Sequence, residues 1–541
     1  MRSEPSRRLV LAGALPAAAG ALGVVGLTVG PASAATKSPS PVSKAKSKSK
    51  FPADLESATV AELAGLLDSG RITSVQLTWE YLRRIEALDV QGPGLNTVRS
   101  LNPNALKEAG EADARRRRNR HNSPLLGIPV LLKDNIDAVG MPTTAGSVAL
   151  KDSHPDKDAP LVALLRSAGA VILGKANLTE FANYLTNGMP GGYSSLGGQV
   201  LNVYDVSQTP SGSSAGPGAA ASVGLATLTI GTETSGSILS PAAANSDVGV
   251  KPTVGLISRT GIVPIAASQD TAGPLVRTVA DAAALLTVIT GEDQEDPATA
   301  ANPLVGHEFA RDLSTTALRG ARIGVVASQV PAAGTDNRTL WDAALAVLTA
   351  RGATLVGVTL STSSGIPGGS SVLSYEFKRD LNTYLARLPR NAPAKTLADI
   401  VAYNNAHSAR ALKFGQVLAT ASQAMDLSPG SADTAKYLAD RAQDLMDSKD
   451  RIDALMADQN LTALLFANSG SAGIGAKAGY PSVSVPAGYQ ASNRRPFNIA
   501  FLGKAWSEPV LLGYAYDYEQ ASQLRRPPSA LNPSLFDNVA L

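Results

Sequence analysis

Two serines and one lysine in this chain have the types and surroundings that acyl-transfer chemistry needs. Ser213 lies in Pro210-Ser-Gly-Ser-Ser-Ala-Gly216, Ser237 lies in Gly231-Thr-Glu-Thr-Ser-Gly-Ser-Ile238, and Lys133 follows the apolar run Val-Leu-Leu. Small residues around both serines allow backbone N–H groups to approach a substrate closely. An apolar strand desolvates its lysine, which lowers the lysine pKa toward that of a usable base. The three residues therefore predict serine-based acyl transfer that needs no catalytic histidine.

These segments resemble the amidase signature family. The family motif is a Gly/Ser-rich loop, a small-residue segment of fixed length, and then Gly-x-Asp/Glu-x-x-Gly-Ser, a frame that runs here from Pro210 to Ser237 without a gap. The resemblance covers residues 53 to 530. Further segments similar to the family are Gly174-Lys-Ala-Asn-Leu-Thr-Glu-Phe181, Lys251-Pro-Thr-Val-Gly-Leu-Ile-Ser-Arg259, Ser268-Gln-Asp-Thr-Ala-Gly-Pro274 and Ala478-Gly-Tyr-Pro-Ser-Val-Ser-Val-Pro486. A finer resemblance, to bacterial peptide amidases, is carried by Gly231-Thr-Glu-Thr, Tyr375-Glu-Phe-Lys378, Ala406-His-Ser408 and Ala505-Trp-Ser-Glu-Pro509.

The resemblance implies a role for each site residue. Ser237 is the expected nucleophile, Ser213 the relay serine on a cis Gly212–Ser213 bond, and Lys133 the base. An oxyanion hole is expected from the backbone N–H groups of Thr234, Ser235 and Gly236 together with that of Ser237. Ser214 and Glu233 are expected to support the site, and neither a cofactor nor a metal is expected.

A second motif offers an alternative nucleophile. Gly212-Ser-Ser-Ala-Gly216 satisfies the Gly-x-Ser-x-Gly elbow of α/β-hydrolases with Ser214 at its centre. That elbow requires a buried strand before it and a histidine after it, yet the preceding segment 204–211 is polar. The four histidines, His121, His154, His307 and His407, lie in contexts that predict structural or exposed side chains. The Ser-Ser-Lys interpretation is therefore favoured.

Short apolar runs alternate with helix-like segments along the chain, a pattern typical of an α/β fold with a covered central sheet. Strands are predicted at 128–132, 170–173, 226–230 and 323–326, and residues 371 to 460 are predicted to be mostly helical. The resemblance implies the amidase signature fold, a mixed sheet with helices on both faces. Thr59 and Ser74 are predicted helix N-caps. Segment 473–479 is predicted to be a loop, and the acidic segment 292–296 an exposed one.

The N-terminal part of the chain differs in composition from the rest. Residues 1–35 combine a twin-arginine-like motif, an apolar stretch and Ala32-Ser-Ala34, which predicts an export signal. Residues 36–52 alternate Lys, Ser and Pro, which predicts a disordered linker. An amidase domain at 53–530 and a tail at 531–541 complete the predicted organisation. Zero cysteines exclude disulfides and cysteine metal sites.

The charge of the chain argues against nucleic acid as a partner. The net charge of +3 arises near the N-terminus, because the chain without residues 1–52 has 40 basic against 44 acidic residues. We expect a secreted monomer with no stable membrane insertion. The family resemblance implies hydrolysis of carboxamides, and its finer part implies peptide C-terminal amides as the leading substrate. The alternatives are a broad fatty-acid or aryl amidase with esterase activity, a tRNA-dependent amidotransferase subunit, which the export signal disfavours, and a secreted binding protein on an inactive amidase scaffold.

Overall fold

The computed structural model describes residues 51–118, 123–361, 365–366, 368–537 and 539. Its central feature is a mixed sheet of eleven strands in the order β1-β3-β2-β6-β8-β7-β12-β13-β11-β9-β10. The strands β3, β2 and β6 are parallel, as are β11, β9 and β10, and the other neighbours are antiparallel. Strands β4 and β5 form a separate hairpin. The strands are β1 (Val98–Leu101), β2 (Pro129–Lys133), β3 (Val171–Ala176), β4 (Tyr193–Ser194), β5 (Gly198–Gln199), β6 (Leu228–Glu233), β7 (Val248–Lys251), β8 (Thr271–Val276), β9 (Arg322–Val326), β10 (Thr354–Val358), β11 (Ala463–Ala467), β12 (Ser482–Tyr489) and β13 (Pro496–Leu502).

Helices connect and cover these strands in the described part of the chain. Two of them matter most for the site: α5, made almost entirely of small residues, and α9, a long helix of the predicted helical region. The α-helices are α1 (Val60–Asp68), α2 (Ser74–Arg84), α3 (Ala105–Arg117), α4 (Pro160–Ala168), α5 (Ala215–Ser222), α6 (Leu239–Asn245), α7 (Val279–Ile289), α8 (Asp336–Ala350), α9 (Val372–Arg387), α10 (Leu397–Ala406), α11 (Ser408–Ala411), α12 (Val417–Ala424), α13 (Ala432–Leu445), α14 (Arg451–Asp458), α15 (Ala472–Ala478), α16 (Glu508–Ser522) and α17 (Pro528–Leu531).

The centre of the sheet is buried on both faces. Every residue of β2, β3, β6, β7 and β8 is buried, which explains why these strands read as continuous apolar or small-residue runs rather than alternating ones. The predicted α/β fold with a mixed, covered sheet is confirmed. Residues 371–460 are mostly helical, also as predicted. No helix of the described residues has the length and apolarity required to cross a bilayer.

Two local predictions were wrong, and a third holds only in part. Thr73, not Ser74, is the N-cap of α2, because its hydroxyl accepts the N–H of Gln76 while the Gln76 side chain accepts the N–H of Thr73. Segment 473–479 is largely helix α15 rather than a loop, and it ends at Gly479 in the left-handed conformation. The 292–296 segment is a mostly exposed loop after α7, as predicted, but its last residue, Asp296, is buried against the guanidinium of Arg259.

Other predictions at the termini and loops differ in outcome. The hydroxyl of Thr59 caps α1 as predicted. The predicted signal peptide (1–35) and nearly all of the linker (36–52) lie outside the described residues, as does His121. The boundaries of the amidase domain remain a prediction.

Candidate active site

The parallel order of β3, β2 and β6 brings their carboxyl ends to one edge of the sheet, where α/β proteins place their sites. Lys133 is the last residue of β2. The strand β6 ends at Glu233, and the loop 234–237 follows it directly before α6. The register pairs Leu132 with Ile230, so Lys133 lies beside the last residues of β6. Sequence-distant residues are thus brought together by strand order.

Lys133 is fully buried, and its ammonium group is surrounded by hydroxyl and carbonyl oxygens. Its Nζ lies 2.8 Å from Ser213 Oγ, 2.9 Å from Thr232 Oγ1 and 3.1 Å from Thr232 O. Burial lowers the pKa of Lys133 to about 7, against the opposing effects of the carboxylates of Asp270 and Glu233. The predicted desolvated lysine is therefore present, and it is bonded to the predicted relay serine.

Ser213 is held on a loop that its neighbours fix from several sides. The Gly212–Ser213 peptide bond is cis, as expected. The carbonyl of Ser213 accepts the N–H of Thr179 at 3.0 Å, which ties the loop to the segment after β3. Helix α5 begins two residues later and is buried throughout. Its Gly216 has no room for a side chain, because a Cβ would collide with the carbonyl oxygens of Asn177 and Thr97. The small residues of this motif thus serve close packing.

The two serine loops contact each other through Ser214. Its N–H donates to the carbonyl of Ser237 at 3.1 Å. The Ser214 hydroxyl donates to Thr232 O at 3.0 Å and accepts the N–H of Thr232 at 3.2 Å. Ser214 is fully buried, whereas Ser237 keeps 7% of its surface exposed. Within the described residues, the Ser237 hydroxyl makes no hydrogen bond, so Ser213 and Ser237 are neighbours without a direct bond.

Glu233 shapes the loop that carries Ser237. Its Oε2 accepts the N–H of Ile238 at 2.7 Å and that of Leu239 at 2.9 Å, which satisfies two donors at the start of α6. Gly236 adopts a φ of +93°, a conformation that favours glycine. The N–H groups of Thr234, Ser235, Gly236 and Ser237 find no acceptor among the described residues. They are therefore free donors around the predicted nucleophile.

A cleft of about 260 Å³ opens beside this loop. Thr232, Thr234 and Asp270 line its inner end, while Ser213 and Ser237 are not among its lining residues. Helix α9 also lines the cleft, through Asp380, Thr383, Tyr384 and Arg387. These four residues follow the spacing of one helix face. The predicted helical region therefore supplies one wall of the cleft.

Sequence reasoning missed two residues that contact the predicted site. Thr232 bonds Lys133 through both its hydroxyl and its carbonyl, and the Asn135 amide also donates to that hydroxyl at 3.0 Å. Asp270 bonds the hydroxyl of Thr234 and lines the cleft. Both lie in segments quoted for the family resemblance. The contact of Thr232 with Lys133 depends on the pairing of β2 with β6, and the contact of Asp270 with Thr234 depends on the pairing of β6 with β8.

The described histidines are engaged elsewhere. Nε2 of His307 lies 2.6 Å from Asp312 Oδ2, and Nδ1 of His407 lies 2.9 Å from the carbonyl of Tyr403. His154 is exposed. No described histidine bonds Ser213, Ser214 or Ser237. Ser214 is fully buried, and its hydroxyl is bonded to the backbone of Thr232. The arrangement does not support the α/β-hydrolase alternative.

Comparisons with known proteins agree with this geometry. The family model "Amidase" matches residues 76–475. The native peptide amidase of Stenotrophomonas maltophilia superposes with a TM-score of 0.81 at 44% identity, covering 87% of this chain and 98% of that chain. A peptide amidase in complex with the competitive inhibitor chymostatin gives the same TM-score, identity and coverage. A probable amidase of Arabidopsis thaliana is 38% identical over 487 residues, 88% of this chain and 92% of the relative.

The chain belongs to the amidase family. It is an amide-hydrolysing enzyme with the amidase signature fold, and it is similar to peptide amidases of known structure.

Proposed function

We propose that this enzyme hydrolyses the C-terminal carboxamide of peptides through a Ser-Ser-Lys relay formed by Ser237, Ser213 and Lys133. The observation that carries the proposal is the 2.8 Å contact between Nζ of Lys133 and Oγ of Ser213 inside a fully buried pocket. A lysine whose pKa lies at about 7 is neutral in half of the molecules at neutral pH. It is therefore suited to act as a general base.

In the structure, Nζ of Lys133 donates to Ser213 Oγ and to the carbonyl and hydroxyl oxygens of Thr232. When Lys133 is neutral, its two N–H bonds can remain on Thr232, and its lone pair then accepts the hydroxyl proton of Ser213. Ser213 in turn takes the proton of Ser237 as that oxygen attacks the amide carbon. The Ser237–Ser213 bond has to form when substrate binds, because sites without substrate commonly have longer catalytic contacts.

The reaction then proceeds in two steps. In acylation, the bond from Ser237 Oγ to the carbonyl carbon forms, the C–N bond breaks, and ammonia leaves with a proton returned through Ser213. In deacylation, the oxygen of a water attacks the same carbon and its proton passes to the relay. The bond from the carbon to Ser237 Oγ then breaks, and Ser213 returns the proton to Ser237 Oγ as the carboxylic acid product forms. The free N–H groups of the 234–237 loop stabilise the oxyanion in both steps, and loss of one such donor costs about 10²–10³ in rate.

Peptide amides are proposed as substrates because the chain is similar over most of its length to a peptide amidase, and because an open cleft adjoins the 234–237 loop. The chymostatin complex of a peptide amidase shows that such a protein binds a peptide-like inhibitor. In the present chain, a peptide in the cleft would lie beside both Thr234 and the α9 face.

The experiment compares the purified wild type with Ser237→Ala. A fluorophosphonate probe should label the wild type and not the variant, and ammonia release from an amidated tripeptide should fall by at least a thousandfold. Labelling of Ser237→Ala at the wild-type rate would show that the nucleophile is another residue. Acyl anilides and fatty amides are measured in parallel. If these compounds are all hydrolysed faster than every amidated peptide, the enzyme is a broad amidase and the proposed peptide substrate is wrong.

Export of the protein is a further part of the proposal. It rests on the twin-arginine-like segment and Ala32-Ser-Ala34. Expression of the whole chain in a bacterium with and without a functional twin-arginine translocase tests it. N-terminal sequencing of the exported protein should place its first residue at Ala35 or Thr36, and an unprocessed cytoplasmic product in both strains would contradict the proposal.

A further inference from the structure

Asp270 lies at the active site without a part in the relay. It is 9% exposed and lines the inner end of the cleft. The strands β6 and β8 pair with Glu233 opposite Thr271, so Asp270 lies next to Thr234, the first residue of the 234–237 loop. Its position places it between the loop and the substrate cleft.

The carboxylate of Asp270 is bonded from two sides. Oδ1 accepts the hydroxyl of Thr234. Oδ2 accepts the N–H groups of Ile265 and Ala266, at 2.8 Å and 2.9 Å. The N–H of Asp270 itself donates to the carbonyl of Ala266 at 2.9 Å. One side chain therefore joins the 234–237 loop to the 265–270 turn.

Hydrogen bonds also fix the 265–270 turn to the wall of the cleft. The N–H of Ala267 donates to Asp380 Oδ2 at 2.9 Å, and the N–H of Ser268 donates to Glu376 Oε2 at 3.0 Å. Both acceptors belong to α9. A continuous set of hydrogen bonds thus runs from the 234–237 loop through Asp270 to the helix that faces the substrate.

We propose that Asp270 is a positioning residue of the active site, which fixes the 234–237 loop through Thr234 and acts on Lys133 through its negative charge. The proposal rests on the proposed function, because it assigns the oxyanion donors to that loop and the base to Lys133. A small displacement of such donors is costly in rate, since misplacement by about 1 Å is worth roughly a hundredfold.

The charge effect has a definite sign. Asp270 and Glu233 are the carboxylates that act on Lys133, and both raise its pKa against the larger lowering by burial. Burial raises the pKa of Asp270 itself to about 7, while its bonds to Thr234, Ile265 and Ala266 and the charge of Arg259 oppose that rise. Removing the Asp270 charge removes an attraction for the Lys133 ammonium. Lys133 then loses its proton at lower pH. The rise of activity on the acidic side of the pH profile, the acid limb, therefore shifts to lower pH.

The test is the pH dependence of kcat for an amidated tripeptide in the wild type, Asp270→Asn, Thr234→Val and Asp380→Asn. Asp270→Asn should lower kcat at the optimum about tenfold to a hundredfold and move the acid limb to lower pH. Because the pKa of Asp270 itself is about 7, the carboxyl is charged in only part of the molecules there, and the expected move is about half a pH unit. Thr234→Val keeps the carboxylate, so it should lower kcat but move the limb less. Asp380→Asn removes another acid of the same cleft and should leave the limb in place.

An acid limb of Asp270→Asn that coincides with that of the wild type, or a limb moved as far by Asp380→Asn, would overturn the proposal. If Asp270→Asn does not fold, Thr234→Val decides the positioning part, and wild-type kcat in that variant refutes it. The pH dependence of fluorophosphonate labelling of Ser237 reports the same limb without an amide substrate. A wrong substrate class would leave that measurement unaffected, so the two failures are distinguishable.

Discussion

Replacing Lys133 by Met tests directly whether the buried lysine loses its proton near neutral pH. In the folded protein, burial lowers the pKa of Lys133 from 10.5 to about 7. In the unfolded chain the group regains its ordinary value. Because the unfolded state then binds more protons between pH 7 and 10.5, the free energy of unfolding rises with pH through that window and falls as pH drops through it. The slope is about 1.4 kcal/mol per pH unit, or about 5 kcal/mol in total.

Methionine is similar in length but carries no proton, so the Lys133→Met variant should lack this rise. The variant also leaves Ser213 and Thr232 without their partner, at a cost of about 1–3 kcal/mol. These two effects have opposite signs at low pH. We therefore expect the wild type to be the more stable protein at pH 10 and the variant to be the more stable one at pH 6.

The measurement is urea unfolding of both proteins from pH 6 to 10, with their difference taken at each pH so that other titrating groups cancel. Between pH 7 and 10 the difference should change by about 4 kcal/mol. Lys157→Met, at an exposed lysine, is the matched control and should run parallel to the wild type. Parallel curves for Lys133→Met and the wild type would show that Lys133 keeps its proton throughout, and the relay would need another base.

Three further comparisons test the assignment of roles. In each, kcat is measured with an amidated peptide, and the fold of every variant is checked by circular dichroism. Ser213→Ala should lower kcat by about 10²–10⁴. Ser214→Ala removes only side-chain bonds to Thr232, so it should lower kcat much less. The reverse order of the two effects would favour Ser214 as nucleophile. His307→Gln with His407→Gln should leave kcat within about tenfold, because both rings bond groups other than the serines; a loss of several orders of magnitude would point to a Ser-His mechanism. Lys133→Arg should not restore the rate lost in Lys133→Ala, since a guanidinium does not give up its proton; an active arginine variant with the wild-type pH profile would place the base elsewhere.

The sequence predicted the parts of the site that depend on neighbouring residues. The run Val-Leu-Leu before Lys133 predicted a buried strand, and the lysine at its end is fully buried. The small residues around Ser213 predicted that backbone N–H groups can approach a substrate, and this stays a prediction. What the structure adds is that Gly216 packs directly against the backbone of Asn177. The cis bond at Ser213 followed from the family resemblance and not from the residues themselves.

Contacts between distant segments could not be predicted in the same way. Thr232 has no local signal of a role, and it reaches Lys133 only because β2 and β6 are neighbours in the sheet. Asp270 meets Thr234 only through the register of β6 and β8. The burial of Asp296 could not be predicted for the same reason, because the arginine that bonds it lies 37 residues away in the sequence. Periodicity and composition carry no information on such pairings.

The residues of the proposed relay and the residues of the cleft wall lie in different parts of the fold, which affects reaction and substrate preference differently. Lys133, Ser213, Thr232 and Ser237 lie in the middle of the sheet and on the adjoining loops, and all four residues are buried. The cleft wall comes from α9, and it contacts the inner machinery through the N–H groups of the 265–270 turn rather than through the relay itself. Side chains on the outer face of the cleft, such as Thr383 and Arg387, are therefore free to change the accepted amide without altering the bonds of Lys133. Asp270 is the exception, because it contacts both the turn and the 234–237 loop, so a change there affects rate and proton affinity together.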